Sequence, residues 1–286
     1  MASDASSSAF KFSLNTSTIM GQKVPIAEEV KIAAEAGYQA IEPWIRELDA
    51  HVEAGHSLDD LRKQIADAGM VVPSAIGFFE WVVDDPAARK KGLDEARRSM
   101  ELVRKVGGTR IAAPAVGATD ISGISLQAIG DRYLDVLKLG REIGVIPEIE
   151  VWGFSKTLTR LADACYVAIS AGEKDACILA DVYHLYKGGS AVGGLHLLRG
   201  ENLPVFHMND YPGHLSPEKI NDADRVYPGD GVAPLGEVIR TLRDVGFNGY
   251  LSLELFNKEY WAQDPKLVAR TGLEKTKAAV TAALKG

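Results

Sequence analysis

Ionisable side chains interrupt four apolar segments in the second half of the chain, where buried strands would be expected. These segments read EIEVW, LADVYH, VFHMND and LSLELF, and they carry Glu150, Asp181, His207 and Glu254. A buried carboxylate is unfavourable unless it is paired, protonated or bound to a metal. Three carboxylates and one imidazole together suit a hard or borderline divalent ion, such as Mn²⁺, Mg²⁺, Co²⁺ or Zn²⁺.

The alternation of side chains along a strand indicates which way these residues point. Glu254 lies between two leucines, and His207 lies between Phe206 and Met208. If the apolar neighbours face outward, Glu254 and His207 face the interior of the sheet or barrel. Taken singly, a strand carboxylate is more often part of a structural ion pair, and an inward histidine is more often a hydrogen-bonded core residue. Four such residues at similar depth on adjacent strands would instead converge on one point.

The elements that must position these residues alternate between short apolar runs and helical patterns. The predicted strands are residues 10–15, 40–44, 71–77, 110–115, 146–152, 176–183, 205–209 and 250–256. The predicted helices are residues 26–36, 58–68, 87–106, 125–143, 158–171, 195–198, 235–245 and 265–284. A strand followed by a helix, repeated eight times, predicts an α/β fold with a single (β/α)8 TIM barrel, whose chemistry sits at the C-terminal ends of the strands. A doubly wound sheet usually has G-x-G-x-x-G after its first strand, and NTSTIMG does not match it.

Composition narrows the class of protein. The chain has 286 residues, of which 46% are hydrophobic and 25% charged, as in an ordinary globular protein. We predict one barrel domain over residues 10–286, preceded by a disordered tail over residues 1–9. A net charge of −7 argues against a nucleic-acid partner. Two cysteines without a C-x-x-C pair, no signal-like start and no long apolar run predict a cytoplasmic protein without a membrane partner.

The order of the four residues on the last four strands resembles the sugar isomerase/epimerase superfamily of xylose isomerase-like barrels. That superfamily includes ketose 3-epimerases, hydroxypyruvate isomerases, inosose isomerases and dehydratases, and AP endonucleases. The segment RVYPGDG, which begins at Arg225, resembles the R-x-x-P-G-x-G loop of ketose 3-epimerases. The segment DVYH resembles their metal-binding Asp followed three residues later by a substrate-binding His. The resemblance covers the chain from about Phe10 to its end.

The resemblance implies a ligand set, a reaction and a role for each matching residue. It implies that Glu150, Asp181, His207 and Glu254 bind one divalent ion, with Mn²⁺ as the expected ion and Mg²⁺, Co²⁺ or Zn²⁺ as alternatives. It further implies that Glu150 and Glu254 are the catalytic acid and base. The expected function is a metal-dependent isomerase or epimerase of a keto sugar or related polyol ketone. A proton would move at the carbon next to a metal-chelated carbonyl, through an enediolate.

Further residues are candidates for substrate binding. The resemblance implies that His184 and Arg225 bind substrate oxygens, and that the protein forms a homo-oligomer, either a dimer or a tetramer. Glu42 and Trp152, near predicted strand ends, are substrate-binding candidates; a helix cap or ion pair for Glu42 and barrel packing for Trp152 are the alternatives. Glu148 has the same parity as Glu150 and is a rival ligand, although Glu150 lies closer to the end of its strand.

Two other enzyme classes share this constellation. Lys156 stands where 3-epimerases often have a second Glu, and we include it among the substrate-binding candidates. It favours, as an alternative, a lyase or dehydratase acting on a 3-keto-glycoside or an inosose with the same metal and base. An AP-endonuclease-like hydrolase is a third option, but it would need three zinc ions and more histidines than the six present.

Overall fold

Parallel strands form the wall of a barrel in the computed structural model, which describes residues 10–285. The seven regular strands are β1 (Lys11–Asn15), β2 (Ala40–Glu42), β3 (Arg110–Ala113), β4 (Ile146–Glu150), β5 (Cys177–Asp181), β6 (Val205–Met208) and β7 (Tyr250–Leu253). Their order in the sheet is β2-β1-β7-β6-β5-β4-β3, and the strands pair in parallel. The predicted tail, residues 1–9, lies outside the described residues.

An irregular segment, residues 71–77, takes the place of the eighth predicted strand and closes the barrel. The Ile41 amide donates to the Val71 carbonyl at 3.0 Å on the β2 side, and the Ala112 amide donates to the Ala75 carbonyl at 2.9 Å on the β3 side. Pro73 lies between these bonds and has no amide proton for a ladder, which explains why regular pairing stops there. The predicted TIM barrel is therefore confirmed, with one wall segment made of isolated bridges.

Ten α-helices occur among the described residues. They are α1 (Ile26–Ala36), α2 (Ile45–Glu53), α3 (Leu58–Asp67), α4 (Pro86–Lys105), α5 (Leu126–Ile143), α6 (Leu161–Ala171), α7 (Val182–Lys187), α8 (Leu235–Asp244), α9 (Lys258–Trp261) and α10 (Pro265–Lys285). The predicted helix 158–171 begins at Leu161, because Leu158 adopts a left-handed φ of 57°. The predicted helix 195–198 is part of a 3₁₀ helix, Val192–Leu197. No helix within residues 10–285 is both long and apolar enough to cross a bilayer.

The two faces of the barrel wall differ in polarity. Outward-facing side chains such as Ile149 and Phe206 are fully buried in the apolar core. Inward-facing positions include Ser13, Glu148 and Ser252, which are also fully buried. TIM barrels usually fill this interior with branched apolar side chains. The polar interior here leads directly to the C-terminal ends of the strands, where the candidate site lies.

Candidate active site and metal centre

A cavity of about 140 Å³ opens at the C-terminal ends of the strands. Its polar wall contains Glu150, His184, Asp222, Arg225 and Glu254, and the rest of its wall is largely aromatic. A larger cavity of about 680 Å³ is lined by Lys11 and Tyr250, the first residues of β1 and β7, and so marks the opposite end of the barrel. The chemistry of TIM barrels is found at the C-terminal end of the strands, and the smaller cavity holds the convergent carboxylates.

Asp181, His207 and Glu254 converge beneath this cavity. Each offers one ligand atom, and these atoms lie within 4.8 Å of one another. The Nδ1 atom of His207 lies 3.2 Å from Glu254 Oε2 and 3.7 Å from Asp181 Oδ2. In the part of the chain that the structure describes, this is the one group of three or more His, Cys, Asp or Glu side chains that could share an ion. A single group of this kind does not support the hydrolase alternative, which would need ligands for three metal ions.

The residues present fit a divalent cation. His207 Nδ1 and Glu150 Oε2 are buried without a hydrogen-bond partner among residues 10–285. Burial lowers the pKa of His207, but the carboxylates of Glu254 and Glu42 outweigh burial and raise this pKa well above its usual range. Burial, reinforced by Glu254, raises the pKa of Glu150 well above its usual range. The raised pKa of His207 reflects the carboxylates around it, whereas the raised pKa of Glu150 is first an effect of burial. One nitrogen with carboxylate oxygens is a suitable donor set for a divalent ion.

Arg225 contacts the candidate ligands directly. It is almost completely buried, and its Nη1 donates to Asp181 Oδ2 at 3.0 Å and to Glu254 Oε2 at 2.7 Å. Its guanidinium stacks over the Tyr183 ring at 4.2 Å, and its Nη2 donates to Asp222. The segment RVYPGDG therefore places a fixed positive charge between two of the predicted metal ligands. The arginine also lines the cavity, where a substrate oxygen could reach it.

His184 is placed in the cavity wall by the first turn of α7. Asp181 ends β5 and caps this helix, because its Oδ1 accepts a hydrogen bond from the His184 amide at 2.9 Å. The ring Nδ1 lies 3.3 Å from the Gly153 amide nitrogen, and Nε2 lies 3.3 Å from Arg225 Nη2. Burial and the charge of Arg225 lower the pKa of His184 to about 3, so the imidazole is neutral at neutral pH.

Glu42 lies below the ligand group and does not line the cavity. Its carboxylate is fully buried, and its Oε2 accepts hydrogen bonds from Asn15 Nδ2 at 2.9 Å and from Ser252 Oγ at 2.7 Å. The Nε2 atom of His207 lies 3.0 Å from the same oxygen. The structure thus favours the ion-pair alternative for Glu42 over substrate binding, because β2 ends with this side chain pointing into the barrel. By accepting a hydrogen bond from the proton on Nε2, a carboxylate leaves Nδ1 unprotonated and free to bind a cation.

Asn15 contacts the candidate site, and sequence reasoning missed it. Its Nδ2 also donates to Glu254 Oε1 at 3.2 Å, and its Oδ1 accepts from the Trp44 indole at 2.9 Å. Asn15 is the last residue of β1 and has the same parity as the inward Ser13. That position could have been a signal, since it is the one at which the other strands carry their carboxylates. Asn209, two residues after His207, donates to Asp181 Oδ2 at 3.0 Å.

The remaining candidates differ in their positions. Trp152 lines the cavity, as does Glu150. Glu148 lies two residues before Glu150 in the same strand, where it pairs in register with Cys177. It is deeper in the barrel than Glu150 and does not line the cavity. Lys156 is exposed in the loop after β4, and the residues that line the cavity do not include it. The structure therefore groups candidate ligand atoms of Asp181, His207 and Glu254, whereas Glu150 is not part of that group and lines the cavity together with Glu254, His184, Arg225 and Trp152. Glu42 contacts His207, and Lys156 lies apart.

Comparisons with known proteins agree with this architecture. The family model described as "Xylose isomerase-like TIM barrel" matches residues 30–279. An inosose isomerase of Bacillus velezensis is 26% identical over 267 residues, which cover 90% of this chain and 92% of the relative. A fructoselysine 3-epimerase of Escherichia coli O157:H7 is 23% identical over 269 residues, or 90% of this chain and 94% of the relative.

A solved structure has the same fold. A crystal structure of IolI protein with a binding zinc atom superimposes with a TM-score of 0.87 at 21% sequence identity. The superposition covers 96% of this chain and 99% of that chain. The family match extends over most of the barrel, including all four predicted ligands. The chain is therefore a member of the xylose isomerase-like TIM barrel family.

Proposed function

We propose that this protein is a divalent-metal-dependent isomerase or epimerase of a keto sugar or a related polyol ketone. Relatives named inosose isomerase and fructoselysine 3-epimerase support the reaction class, since each aligns over about nine tenths of the chain. The family also contains other chemistry, so the residues of the site must support the assignment as well.

The observation that carries the proposal is the pair of buried carboxylates in one small cavity. Glu150 ends β4 and Glu254 follows β7, and both line the cavity of about 140 Å³. Two strands, β5 and β6, separate β4 from β7 in the sheet, so the two carboxylates reach the cavity from different parts of the wall. A substrate carbon between them could lose a proton to one carboxylate and regain a proton from the other.

Each residue then has a defined task. Glu150, Asp181, His207 and Glu254 would hold the ion, for which we propose Mn²⁺ with Mg²⁺, Co²⁺ or Zn²⁺ as alternatives. When bound, such an ion polarises a substrate carbonyl and stabilises the negative charge that develops on it.

The chain supplies the remaining steps. One of the two glutamates removes the proton next to the carbonyl, and the other returns a proton. Return to the same carbon gives an epimer, and return to the neighbouring carbon gives an aldose–ketose isomer. Neutral His184 and charged Arg225 would bind the substrate's oxygens, and the aromatic wall would limit the access of water.

Deuterium exchange tests this proposal. The protein, loaded with each of the four metals in turn, is incubated in D₂O with a panel of ketoses and inososes, and products are followed by NMR. We expect deuterium at the carbon next to the carbonyl, together with an isomeric product. Glu150→Gln and Glu254→Gln should each slow exchange about 10²–10⁴-fold, the usual contribution of an acid–base residue.

Glu148→Gln is the matched control, because it removes a buried carboxylate from the same strand but not from the cavity wall. Its exchange rate should stay close to that of the unmodified protein. Exchange that persists in Glu150→Gln and Glu254→Gln, or no exchange with any sugar and any metal, would contradict the proposal.

The same experiment tests the lyase alternative. Lys156, the residue that favoured it, is exposed and lies outside the cavity wall. A lyase would release water or a leaving group, and the products would then not account for all of the starting sugar as isomers. Full recovery of isomeric sugar would reject it. The homo-oligomer and the cytoplasmic location stay predictions.

A further inference from the structure

Five aromatic side chains surround the mouth of the cavity. We call Trp44, Phe78, Trp152, Phe154 and Phe256 the aromatic collar; all five line the cavity. Neighbouring rings are in contact, with centroid distances of 5.9 Å for Phe256 and Trp44, 5.4 Å for Trp44 and Phe78, 6.0 Å for Phe78 and Trp152, and 4.9 Å for Trp152 and Phe154. The collar is therefore one continuous row of rings.

The collar extends from the buried site to solvent. Trp44 is only 9% exposed, whereas Phe78 is 42% and Phe154 is 40% exposed. Phenylalanine has no polar group that gains from exposure, and exposed apolar surface beside a concave site is typical of a ligand-binding groove. The outer rings are thus available to a part of the ligand that projects from the cavity.

Three rings of the collar lie close to residues that are predicted to act in catalysis or to bind substrate. The Trp44 indole donates to Asn15, whose amide donates to Glu254. The Arg225 guanidinium lies 5.0 Å from the centre of the Phe256 ring. The Phe154 ring lies 5.6 Å from that of His184. A substrate that reacts between the glutamates therefore has its remaining atoms against the collar.

Size and polarity indicate what those remaining atoms are. A cavity of about 140 Å³ is small beside the roughly 300–1,000 Å³ of usual ligand pockets, so a ligand larger than one sugar ring extends onto the collar. The Trp44 N–H is already bonded to Asn15 and the three phenylalanines offer no hydrogen bonds, which leaves the Trp152 N–H as the remaining side-chain donor of the collar. Sugar hydroxyls placed on such rings would lose hydrogen bonds to water without replacement. A flat apolar group would bury its faces there without leaving a polar atom unpaired.

We propose that the aromatic collar is a second subsite, which binds a planar apolar substituent attached to the keto sugar, such as an aryl aglycone. This inference rests on the proposed function and specifies the substrate class of the same site. The collar then determines specificity, while the buried carboxylates act on the sugar.

Binding of two unreactive glycosides tests the subsite without turnover. Isothermal titration calorimetry of the Mn²⁺-loaded protein compares phenyl β-D-glucopyranoside with methyl β-D-glucopyranoside, which has the same sugar and no ring to stack. We expect the phenyl compound to bind at least about tenfold more tightly, as base–aromatic stacking in other proteins would suggest. Phe78→Ala and Phe154→Ala should each bring this ratio towards one, whereas Leu197→Ala, at a side chain 90% exposed and outside the collar, should keep it.

The outcomes separate the two proposals. No preference for the phenyl compound, including no binding of either glycoside, would overturn the subsite; so would a preference that both phenylalanine variants retain. Both variants remove side chains that are about two fifths exposed, so they should fold, and circular dichroism checks this. Absence of deuterium exchange with every sugar would count against the proposed reaction, and it would leave the measured binding ratio as an independent report on the collar.

Discussion

The Glu42 carboxylate and the His207 imidazole form a buried pair in which neither side chain is exposed. Asn15 and Ser252 hold the carboxylate in place, and the ring then presents Nδ1 to Asp181 and Glu254. Carboxylates that bond the second nitrogen of a metal-binding histidine fix its tautomer and its orientation. Glu42 is therefore a positioning residue in this account, and it does not touch the substrate.

Replacement of Glu42 tests this role. We expect Glu42→Gln to weaken Mn²⁺ binding about 10–100-fold, the usual effect of losing such a partner, because a neutral amide oxygen is a weaker acceptor for the Nε2 proton than a carboxylate and makes Nδ1 less basic. Titration calorimetry with Mn²⁺ alone measures the dissociation constant.

Glu148→Gln is the control for loss of a buried carboxyl group from the barrel interior, since Glu148 has no hydrogen bond to His207. Equal losses of affinity in Glu42→Gln and Glu148→Gln would show that the contact with His207 has no special role. Proton exchange in Glu42→Gln should recover at saturating Mn²⁺, which a general loss of structure would not allow.

Individual site residues could be predicted where strand parity carried the signal. Glu150, Asp181, His207 and Glu254 interrupt apolar runs, so their inward direction could be read from the sequence. Their assignment as metal ligands stays a prediction. The positions of Lys156 and Glu42 could not be predicted in this way. The path of the loop that carries Lys156 and the depth of the strand end that carries Glu42 both depend on tertiary packing. Asn15 was missed because a polar residue at a strand end is common.

At the scale of elements, close backbone contacts hold the loop after β4 against α7. A Cβ atom on Gly153 would lie 2.5 Å from the His184 carbonyl oxygen and 2.7 Å from the Gly188 amide nitrogen. A Cβ atom on Gly188 would lie 2.1 Å from the Thr159 carbonyl oxygen. This contact requires glycine at both positions. It fixes the position of the cavity-lining Trp152 and His184.

We expect Gly153→Ala to lower both stability and activity. The added methyl group meets backbone atoms that cannot rotate away, and overpacking of this kind destabilises by about 1–3 kcal/mol. The displaced α7 should also move His184 and raise the KM for the sugar. Chemical denaturation and steady-state kinetics measure the two effects.

Gly193→Ala is the matched control, since a Cβ atom there would meet nothing within 4 Å. If Gly153→Ala unfolds like Gly193→Ala and keeps its KM, the two elements are not held together as described.

Long helices with regular apolar spacing could be predicted within three residues of their ends, as for α1, α4 and α5. The sequence predicts a strand through residue 183, because Val182 and Tyr183 also suit a strand, but the structure begins the short helix α7 at Val182. The helical conformation of α7 depends on the N-terminal cap from Asp181. The position of α7 depends on the close contacts at Gly153 and Gly188. The irregular segment 71–77 is the converse case: its apolar pattern predicts a strand, but Pro73 breaks the ladder.

At the scale of the whole molecule, a buried carboxyl group outside the site affects the pH dependence of folding. Glu29 on α1 is 2% exposed, and its Oε2 has no hydrogen-bond partner in the described part of the chain. Burial, reinforced by Glu47, raises the pKa of Glu29 from 4.5 to about 10. Between these values the folded chain binds more protons than the unfolded chain, so folding stability decreases as the pH rises.

Glu29→Gln should therefore flatten the decline in stability with pH. From this group alone, the free energy of unfolding of the unmodified protein should fall by up to about 1.4 kcal/mol per pH unit between about pH 6 and about pH 9. Urea denaturation at several pH values measures the slope. Glu28→Gln removes the neighbouring carboxyl group at a partly exposed position and should leave the slope unchanged. An identical slope in Glu29→Gln and the unmodified protein would contradict the pKa assignment.

The barrel as a whole could be predicted from the sequence because its repeated strand–helix pattern is a property of long segments. The residues that face the barrel interior can be predicted from the alternation of side chains along each strand. The convergence of side chains from four strands, however, depends on closure of the barrel. That closure brings β4 to β7 and the segments that follow them to one cavity, where Glu150, Asp181, His207 and Glu254 are predicted to share an ion.

Crystals grown with Mn²⁺ and measured with anomalous X-ray scattering test this central claim most directly. The account predicts one strong anomalous peak beneath the cavity, within about 2.0–2.4 Å of His207 Nδ1 and of oxygens of Glu150, Asp181 and Glu254. Arg225 Nη1 is then expected either to move away from Asp181 and Glu254 or to donate to the carboxylate oxygens of these residues that do not bind the ion. The absence of a peak at saturating Mn²⁺, or a peak that these four side chains do not reach, would contradict it.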